Sequence, residues 1–228
     1  MEKQTPIPPT RQMPTEADVA AVRAHFLDFL SVQQQYRAAI REVTTKLEIL
    51  NDEFQVRHHH NPIHHIESRL KTIESMIVKL RERNLDIDFS TAQKHLLDIA
   101  GVRVVCCYVD DIYRVAEILL RQSDVELIRK KDYIQNPKPN GYRGLHLVVR
   151  IPVFLSDQTV MIPVEIQLRT VAMDFWASLE HPLRYKLRDE IPEGINEELS
   201  ECANEIAAID LRMQDMFHRI QNREQKND

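Results

Sequence analysis

The chain has 228 residues, of which 43% are hydrophobic and 29% are charged, so it is long and apolar enough to bury a core. A formal net charge of −5 argues against a protein whose whole surface binds nucleic acid, and nothing in the sequence supports RNA binding. No stretch approaches the roughly 20 apolar residues of a membrane span, and the polar, proline-rich start predicts a disordered lead-in over residues 1–14 rather than a signal peptide or anchor.

The first predicted elements are helices over residues 15–57. Apolar residues recur there at gaps of three and four from Val22 to Phe54, with one polar interruption at Gln33 that predicts a break near Ser31–Gln35. The stretch HHHNPIHH is predicted to be a loop, and ESRLKTIESMIVKLRERN a short strand or loop that leads into a helix. Ser90 is a candidate cap for a brief helix that follows.

Strands dominate the middle of the chain. Four are predicted, in the segments DIAGVRVVCCYVD, VELIRKKDYI, GLHLVVRIPVF and TVMIPVEIQLR. Helices are predicted from Asp110 and over TVAMDFWASLEHPLRYKL. This order favours an α+β fold with a mixed sheet. Cys106 and Cys107 would point to opposite faces of a strand, so all three cysteines are expected to be reduced and buried, as in a cytosolic protein.

The last helix, predicted from about Ile195 to Ile220 in a C-terminal segment over residues 189–228, carries a regular apolar seam. Its members alternate gaps of four and three, as heptad seams do: Ile195, Leu199, Cys202, Ile206, Ile209, Met213, Met216 and Ile220. One interpretation is packing on the helix's own domain, and the other is packing between subunits. The N-terminal helices carry a similar stripe, and both interpretations stay open.

Cations collect where the first helix of the middle region begins. Arg69 and Lys71 share a face if this stretch is extended, and Lys71, Ser75 and Lys79 share one if it is helical. A helix N-terminus already favours an anion, so these side chains form a candidate phosphate site. A solvated basic face is the alternative.

Two strand segments carry candidate acids. Asp98 enters a buried strand, and a bulge at Gly101 would bring it onto one face with Arg103, either as an ion pair or as part of a metal site. Glu165, Gln167 and Arg169 alternate with apolar residues on another strand, as His146 and Arg150 do on its neighbour. The polar face of an antiparallel sheet often does no more than contact solvent. The combination of Glu, Gln, Arg and His on this face favours a functional site instead.

The loop KPNGYRGLH, from Lys138 to His146, is either a plain β-turn or a site for a flat anion, with Tyr142 as a stacking ring. Asp98 and Glu165 could hold Mg²⁺. Nearby cations could neutralise phosphates, as phosphoryl transfer requires: Arg69, Lys71, Lys79, Arg103 and Lys138. No Walker A pattern is present.

The five histidines between His58 and His65 lack the spacing of a zinc site, though they could bind transition metals weakly.

A resemblance covers roughly Ile63 to Tyr185. SRLKTIESMIVKL, HLLDIAGVRVVC, KDYIQNPKPNGYRGLHLVV and VEIQLRTVAMDFWASLEH, in this order, resemble the synthetase domain of RelA/SpoT-type (p)ppGpp synthetases. The chain is similar to a small alarmone synthetase without the HD-type hydrolase domain, and KLEILNDEFQVRHHHNPIHH is closer to the RelP type than to RelQ. The resemblance implies a nucleotidyltransferase-like synthetase core over residues 58–188, flanked by long N- and C-terminal helices.

The resemblance also implies a reaction, in which pyrophosphate passes from ATP to the 3′-hydroxyl of GDP or GTP and AMP leaves. Asp98 and Glu165 match the Mg²⁺ ligands, and Glu165 matches the proposed base. Five residues match ATP contacts: Arg69, Lys71, Ser75, Lys79 and Arg103. Six are expected on the GDP or GTP side: Lys138, Asn140, Tyr142, His146, Gln167 and Arg169. Asp174 could pair with the N1 and N2 donors of guanine or be a helix residue without a ligand, and it is not assigned to either role.

The resemblance further implies a cytoplasmic homotetramer built from the terminal helices. Activation by product alarmone, which belongs to the RelQ type, is not expected here. Two other functions remain open. A catalytically inactive nucleotide-binding or RNA-binding regulator would have little use for Glu165 opposite a metal. A nucleotidyltransferase that releases pyrophosphate would typically carry a D-x-D pattern, which the matching region lacks.

Overall fold

The computed structural model describes the backbone of residues 16–57, 60–186 and 194–224, so the predicted lead-in over residues 1–14 lies outside the described residues. Within these ranges no helix is long and apolar enough to span a membrane. The chain divides into two compact units, Met1–Gln34 and Gln35–Asp228. The second unit contains the whole sheet and the site described below.

Helices and strands alternate through the middle of the chain. The helices are α1 (Glu16–Arg57), α2 (Ile73–Glu82), α3 (Phe89–His95), α4 (Val109–Leu120), α5 (Val171–Lys186) and α6 (Ile195–Glu224). The strands are β1 (Ile63–Leu70), β2 (Ala100–Cys106), β3 (Glu126–Asp132), β4 (Leu145–Phe154) and β5 (Thr159–Thr170).

One five-stranded sheet has the order β1-β2-β5-β4-β3. The central strands β2 and β5 are parallel, and every other neighbouring pair is antiparallel. A tight turn joins β4 to β5, closed by a 2.8 Å hydrogen bond from Leu155 N to Gln158 O. The predicted α+β fold with a mixed sheet is confirmed.

The sheet has one apolar face. Val104, Val164 and Ile166 are fully buried on its central strands. Helix α4 packs against β2 and β5 and buries apolar residues of its own, which covers this face. The part of α1 from Tyr36 to Phe54 also buries a regular stripe, and the Arg114 guanidinium of α4 lies 5.2 Å from the centre of the Phe54 ring. Burial of the apolar face leaves the opposite face for polar chemistry.

Two predictions about the helices were wrong. Helix α1 continues through Ser31–Gln35, because glutamine is a good helix former and residues 16–57 contain no glycine or proline. Helix α3 is capped by Asp88 rather than Ser90. The Asp88 carboxylate accepts a 2.8 Å hydrogen bond from Thr91 N, while the Ser90 hydroxyl donates to that same carboxylate.

Strand β1 begins inside the stretch that was predicted to be a loop. It is an edge strand, paired only with β2, and most of its side chains are at least partly exposed. It therefore lacks the period-two alternation by which a half-buried strand is recognised.

The cysteines and α6 also depart in part from expectation. All three cysteines are free, but only Cys106 is buried, and Cys202 is exposed, contrary to prediction.

Helix α6 turns Ala203, Asp210 and Gln214 toward the core. Of the predicted seam, Ile195, Leu199 and Ile206 are partly buried, whereas Cys202 and the second half are exposed, with Met213 50% and Ile220 58% accessible. Packing within one chain therefore covers the seam only in part.

Candidate active site

A cleft of about 1120 Å³ lies over the polar face of the sheet. Its lining comes from β1, β2, β4, β5, the loop before β4 and the middle of α5. Eight residues that the sequence singled out line this cleft: Arg69, Arg103, Lys138, Asn140, Tyr142, His146, Gln167 and Arg169. One surface thus gathers most of the predicted site.

Strand register explains why these residues meet. Gln167 of β5 lies opposite Arg103 of β2 on one side and His146 of β4 on the other. One pair further along, Glu165 lies opposite Gly101, which in turn lies opposite Arg69 of β1. Residues directly opposite one another share a face, so the predicted pairing of the two reactive strands is confirmed.

The predicted bulge at Gly101 is absent, because both ladders of β2 are regular there. The Arg69 side chain instead lies over this glycine, since a Cβ placed on Gly101 would be in van der Waals contact with the Arg69 Cγ at 3.4 Å. Asp98 lies before β2 and is not brought onto a common face with Arg103 by a bulge.

Asp98 is bound by two lysines. Its Oδ2 lies 2.8 Å from Lys71 Nζ and 2.5 Å from Lys79 Nζ. Burial alone would raise the pKa of Asp98, but the hydrogen bonds and positive charges of Lys71 and Lys79 outweigh it and lower that pKa. The carboxylate is therefore ionised at neutral pH. Asp98 pairs with the two lysines rather than with Arg103, and the two lysines bind a carboxylate rather than forming a basic face that contacts only solvent.

The start of α2 lies beside the two lysines. Thr72 is the N-cap, and its hydroxyl accepts a 3.3 Å hydrogen bond from Ser75 N. Lys71 therefore precedes the helix, and only Ser75 and Lys79 lie on one face of α2. The expectation that Lys71 shares this helical face was wrong. Lys71 reaches Asp98 from the β1–α2 connection, where its N–H bonds Ile99 O at 2.8 Å.

Glu165 is a second carboxylate on the polar face. Its Oε2 accepts a 2.8 Å hydrogen bond from Gln167 Nε2, and its Oε1 lies 3.4 Å from His146 Nδ1. Burial raises the pKa of Glu165, as does the charge of Asp98, but His146 and Gln167 outweigh them and the net shift is downward. Two ionised carboxylates thus lie close enough to influence each other's titration.

Tyr142 is buried and surrounded by cations. Its hydroxyl lies 2.6 Å from His146 Nε2 and accepts a 3.1 Å hydrogen bond from Arg169 Nε. Lys138 Nζ lies 4.7 Å from the centre of the Tyr142 ring and 4.8 Å from that of Tyr133. Only 8% of Tyr142 is accessible. A base could stack on this ring only after Lys138 moves away.

Asp174 of α5 joins the buried Arg169 to the partly exposed Arg103. It accepts a 3.0 Å bond from Arg169 Nη1 and lies 3.5 Å from Arg103 Nη1. The sequence alone does not assign Asp174, because such a residue fits a guanine contact and a plain helix position equally. In the described part of the chain, the Arg103 Nε is buried without a hydrogen-bond partner, so its N–H is available to a bound molecule or water.

Asn140 and Gln167 support other side chains. Asn140 Nδ2 donates to Glu180 Oε1 at 2.9 Å, and Asn140 Oδ1 accepts from Tyr142 N at 3.3 Å. Gln167 links Glu165 to Arg169, whose Nη2 lies 3.3 Å from the Gln167 Oε1. These amides hold the loop and the polar strand in place.

The histidine stretch contributes little to this cleft. His60 bonds Asp111 at 2.8 Å and packs on the ring of Phe217, so it has a packing role. His64 and His65 lie side by side on β1. Within the described residues, which omit His58 and His59, no three His, Cys, Asp or Glu side chains form a group suited to a metal ion.

Known proteins resemble this chain over most of its length. The pattern of the family described as "Region found in RelA / SpoT proteins" matches residues 68–190. The chain is 43% identical over 178 residues to GTP pyrophosphokinase YwaC of Bacillus subtilis, covering 78% of this chain and 85% of that protein.

Solved structures agree with the fold. The small alarmone synthetase 2 of Bacillus subtilis superposes with a TM-score of 0.77 at 40% identity, over 84% of this chain and 99% of that one. The small alarmone synthetase 1 of the same organism, bound to its product pppGpp, gives a TM-score of 0.75 at 34% identity over 82% and 94%. The chain therefore belongs to the RelA/SpoT family and has the fold of the small alarmone synthetases.

Proposed function

We propose that this protein is a GTP pyrophosphokinase, which transfers the β,γ-pyrophosphate of ATP to the 3′-hydroxyl of GDP or GTP and releases AMP. The observation that carries the proposal is the pair of ionised carboxylates, Asp98 and Glu165, beside a cation-lined cleft large enough for nucleotides. Its relatives named as GTP pyrophosphokinases support the same chemistry.

ATP would bind on the side built by β1, β2 and α2. Arg69 and Arg103 line the cleft there and could enclose the adenine between their guanidinium planes. The unpartnered Nε of Arg103 supports a ligand at this point. Lys71, Lys79 and the α2 N-terminus near Ser75 would bind the phosphates. The lysines would then pass from Asp98 to the incoming phosphate oxygens.

The guanosine nucleotide would bind between the loop and α5. Tyr142 would stack on the guanine once Lys138 has left its ring, and the freed ammonium would neutralise the acceptor's phosphates. His146 lies between this ring and Glu165. Three further side chains would hold the loop and strand β5 in the positions that the nucleotide contacts: Asn140, Gln167 and Arg169.

Glu165 would act as the general base. Its lowered pKa keeps it ionised at neutral pH, so it can accept the proton of the 3′-hydroxyl as that oxygen attacks the β-phosphorus of ATP. The bond from the β-phosphorus to the α,β-bridging oxygen then breaks, and AMP leaves with that oxygen. The nearby cations would stabilise the charge that develops on the transferred group.

Asp98 and Glu165 also fit a magnesium ion. Mg²⁺ prefers one or two carboxylates together with water and phosphate oxygens, and both side chains are ionised hard-oxygen ligands. When bound, the ion would neutralise phosphate charge and orient the transferred pyrophosphate.

We also propose assembly with further copies of this chain, expected as a homotetramer. An apolar groove of about 550 Å³ lies between α5 and α6, lined partly by Phe175, Ile209 and Met213. It continues into the exposed part of the α6 seam. A second copy's helix would cover both. Met213→Lys should lower the mass measured by light scattering, whereas Leu211→Lys, equally exposed on the same helix but outside the groove, should not.

The RelP subtype, a cytoplasmic location and a role in the stringent response follow the same resemblance and stay predictions. The RelP assignment predicts that added pppGpp does not stimulate the enzyme, which initial rates with and without product would check.

The enzyme proposal is tested by incubating the protein with Mg²⁺, ATP and GDP and resolving the nucleotides by ion exchange. AMP and a 3′-pyrophosphorylated guanosine should appear in equal amounts. Binding without AMP would favour the inactive regulator, and free pyrophosphate would favour a nucleotidyltransferase.

A further inference from the structure

The loop Lys138–His146 rests on helix α6 through Gly141. The backbone φ of this glycine is +86°, and a Cβ placed there would lie 2.5 Å from the Ala203 Cβ and 3.1 Å from the Ser200 Cα. Two carbon atoms cannot approach to 2.5 Å without displacement, so both the turn and its distance from α6 require glycine. The tip of the loop is therefore packed directly on the helix.

Arg143 fastens the same loop to the same helix. Its Nη1 donates to Ala203 O at 3.2 Å and to Gly141 O at 3.1 Å, and its Nη2 donates to Asn204 Oδ1 at 2.9 Å. Burial lowers the pKa of Arg143. Arg143 is not among the residues that line the cleft, so its bonds serve the loop–helix contact.

The contact fixes the neighbours that face the cleft. Lys138 N donates to Tyr142 O at 3.1 Å, and Gly141 N donates to Lys138 O at 2.8 Å, so one turn sets both side chains. The Tyr142 ring packs in a cluster with Trp176 and Ala203. A shift of the turn along α6 would move the ring and the ammonium together.

Helix α6 is itself fastened at two further points. The Thr170 hydroxyl donates to Asp210 Oδ2 at 2.5 Å, at the end of β5. Asp110 N donates to Gln214 Oε1 at 3.0 Å, at the start of α4. Asp210 and Gln214 are both buried. The helix is thus a fixed support against which the loop can be held.

We propose that Arg143 is a positioning residue for the guanosine nucleotide. Through its bonds to α6 it holds Lys138 and Tyr142 where that nucleotide binds, without touching the nucleotide itself. The inference rests on the proposed function, which places the acceptor at this loop. The ATP side is built from β1, β2 and α2, whereas the hydrogen bonds of the Arg143 side chain go to Gly141, Ala203 and Asn204. Its loss should therefore affect one substrate only.

The test compares KM for GDP with KM for ATP. Arg143→Met removes the charged hydrogen bonds to α6 and should raise KM for GDP about tenfold, with KM for ATP changed less than about twofold. Arg143→Lys can replace only part of the fork and should give an intermediate value.

A second pair of variants approaches the contact from the helix. Ala203→Val places extra atoms against Gly141 and should raise KM for GDP as well. Ala208→Val is the matched control, the same change at an exposed position of α6, and should leave both KM values unchanged. If Arg143→Met fails to fold, the comparison of Ala203→Val with Ala208→Val still tests whether the contact between the loop and α6 controls GDP binding.

Calorimetric titration with GDP separates this inference from the enzyme proposal. If the wild type binds GDP but forms no AMP, the enzyme proposal fails, and weaker GDP binding by Arg143→Met would still support the positioning role. Wild-type GDP affinity in both Arg143→Met and Ala203→Val would overturn it. Equal rises in KM for both substrates would also overturn it, because they would mean a general structural role.

Discussion

Replacing Asp98 by Asn removes the negative charge that Lys71 and Lys79 share. The Asp98 and Lys71 side chains are each 12% exposed, whereas that of Lys79 is 31% exposed, so the Lys71 bond should contribute most. A charge-assisted hydrogen bond contributes about 1.5–3 kcal/mol to stability. Solvent screening reduces the contribution of the more exposed Lys79–Asp98 bond. We expect Asp98→Asn to lower the free energy of unfolding by about 2 kcal/mol at pH 7.

Urea denaturation followed by the fluorescence of Trp176, the chain's single tryptophan, measures this loss. Asp124→Asn is the matched control, because Asp124 pairs with Lys46 but is 40% exposed and should lose less than about 1 kcal/mol. The folded-state pKa of Asp98 is lowered, so its contribution is complete above the ordinary carboxyl value of 3.8 and disappears as pH falls through the lowered value. Equal losses in the two variants, or a loss that stays constant through acid pH, would refute the reasoning.

Four further predictions concern substrate binding and turnover. Glu165→Gln should lower kcat by about 10²–10⁴-fold with nucleotide binding retained, whereas Glu126→Gln, an exposed glutamate of β3, should match the wild type. Because the pKa of Glu165 is lowered, kcat/KM should lose this base only below the ordinary glutamate value of 4.5, and a loss near pH 6 would contradict the assignment. Tyr142→Ala should raise KM for GDP more than KM for ATP, and equal effects would exclude stacking on guanine. Chelation of Mg²⁺ by EDTA should abolish AMP formation reversibly without changing the circular dichroism spectrum, and residual turnover would contradict the metal assignment.

The polar face of the sheet could be predicted from sequence because strands have a period of two. Glu165, Gln167 and Arg169 alternate with buried residues, and this parity fixes their common face whatever the neighbouring strand is. His146 joined them through the same rule on β4. Alternation on a half-buried strand is a local signal, so no tertiary information was needed.

The partners of Asp98 could not be predicted in the same way. Lys71 and Lys79 meet this carboxylate because β1 pairs beside β2 and α2 folds back over the connection, which is a long-range arrangement. The position of β1 was hidden because an exposed edge strand has no clear alternation. Asp174 was hidden because its place in the first turn of α5 has an adequate local explanation.

The contact between the loop and α6 lay equally beyond sequence reasoning. The proximity of Gly141 to Ala203 depends on a helix that follows some 60 residues later in the chain. The apolar seam of α6 was visible, but which part of it one chain buries follows only from the docking of that helix on α5 and α4.

The central claim is that the terminal two phosphates of ATP move as one unit to a guanosine 3′-hydroxyl. Parallel reactions with ATP labelled at the γ-phosphate or at the α-phosphate test it directly. The γ-label should appear in the 3′-pyrophosphorylated guanosine nucleotide and the α-label in AMP. Release of the γ-label as free phosphate or pyrophosphate, or transfer of the α-label to the guanosine nucleotide, would contradict the account.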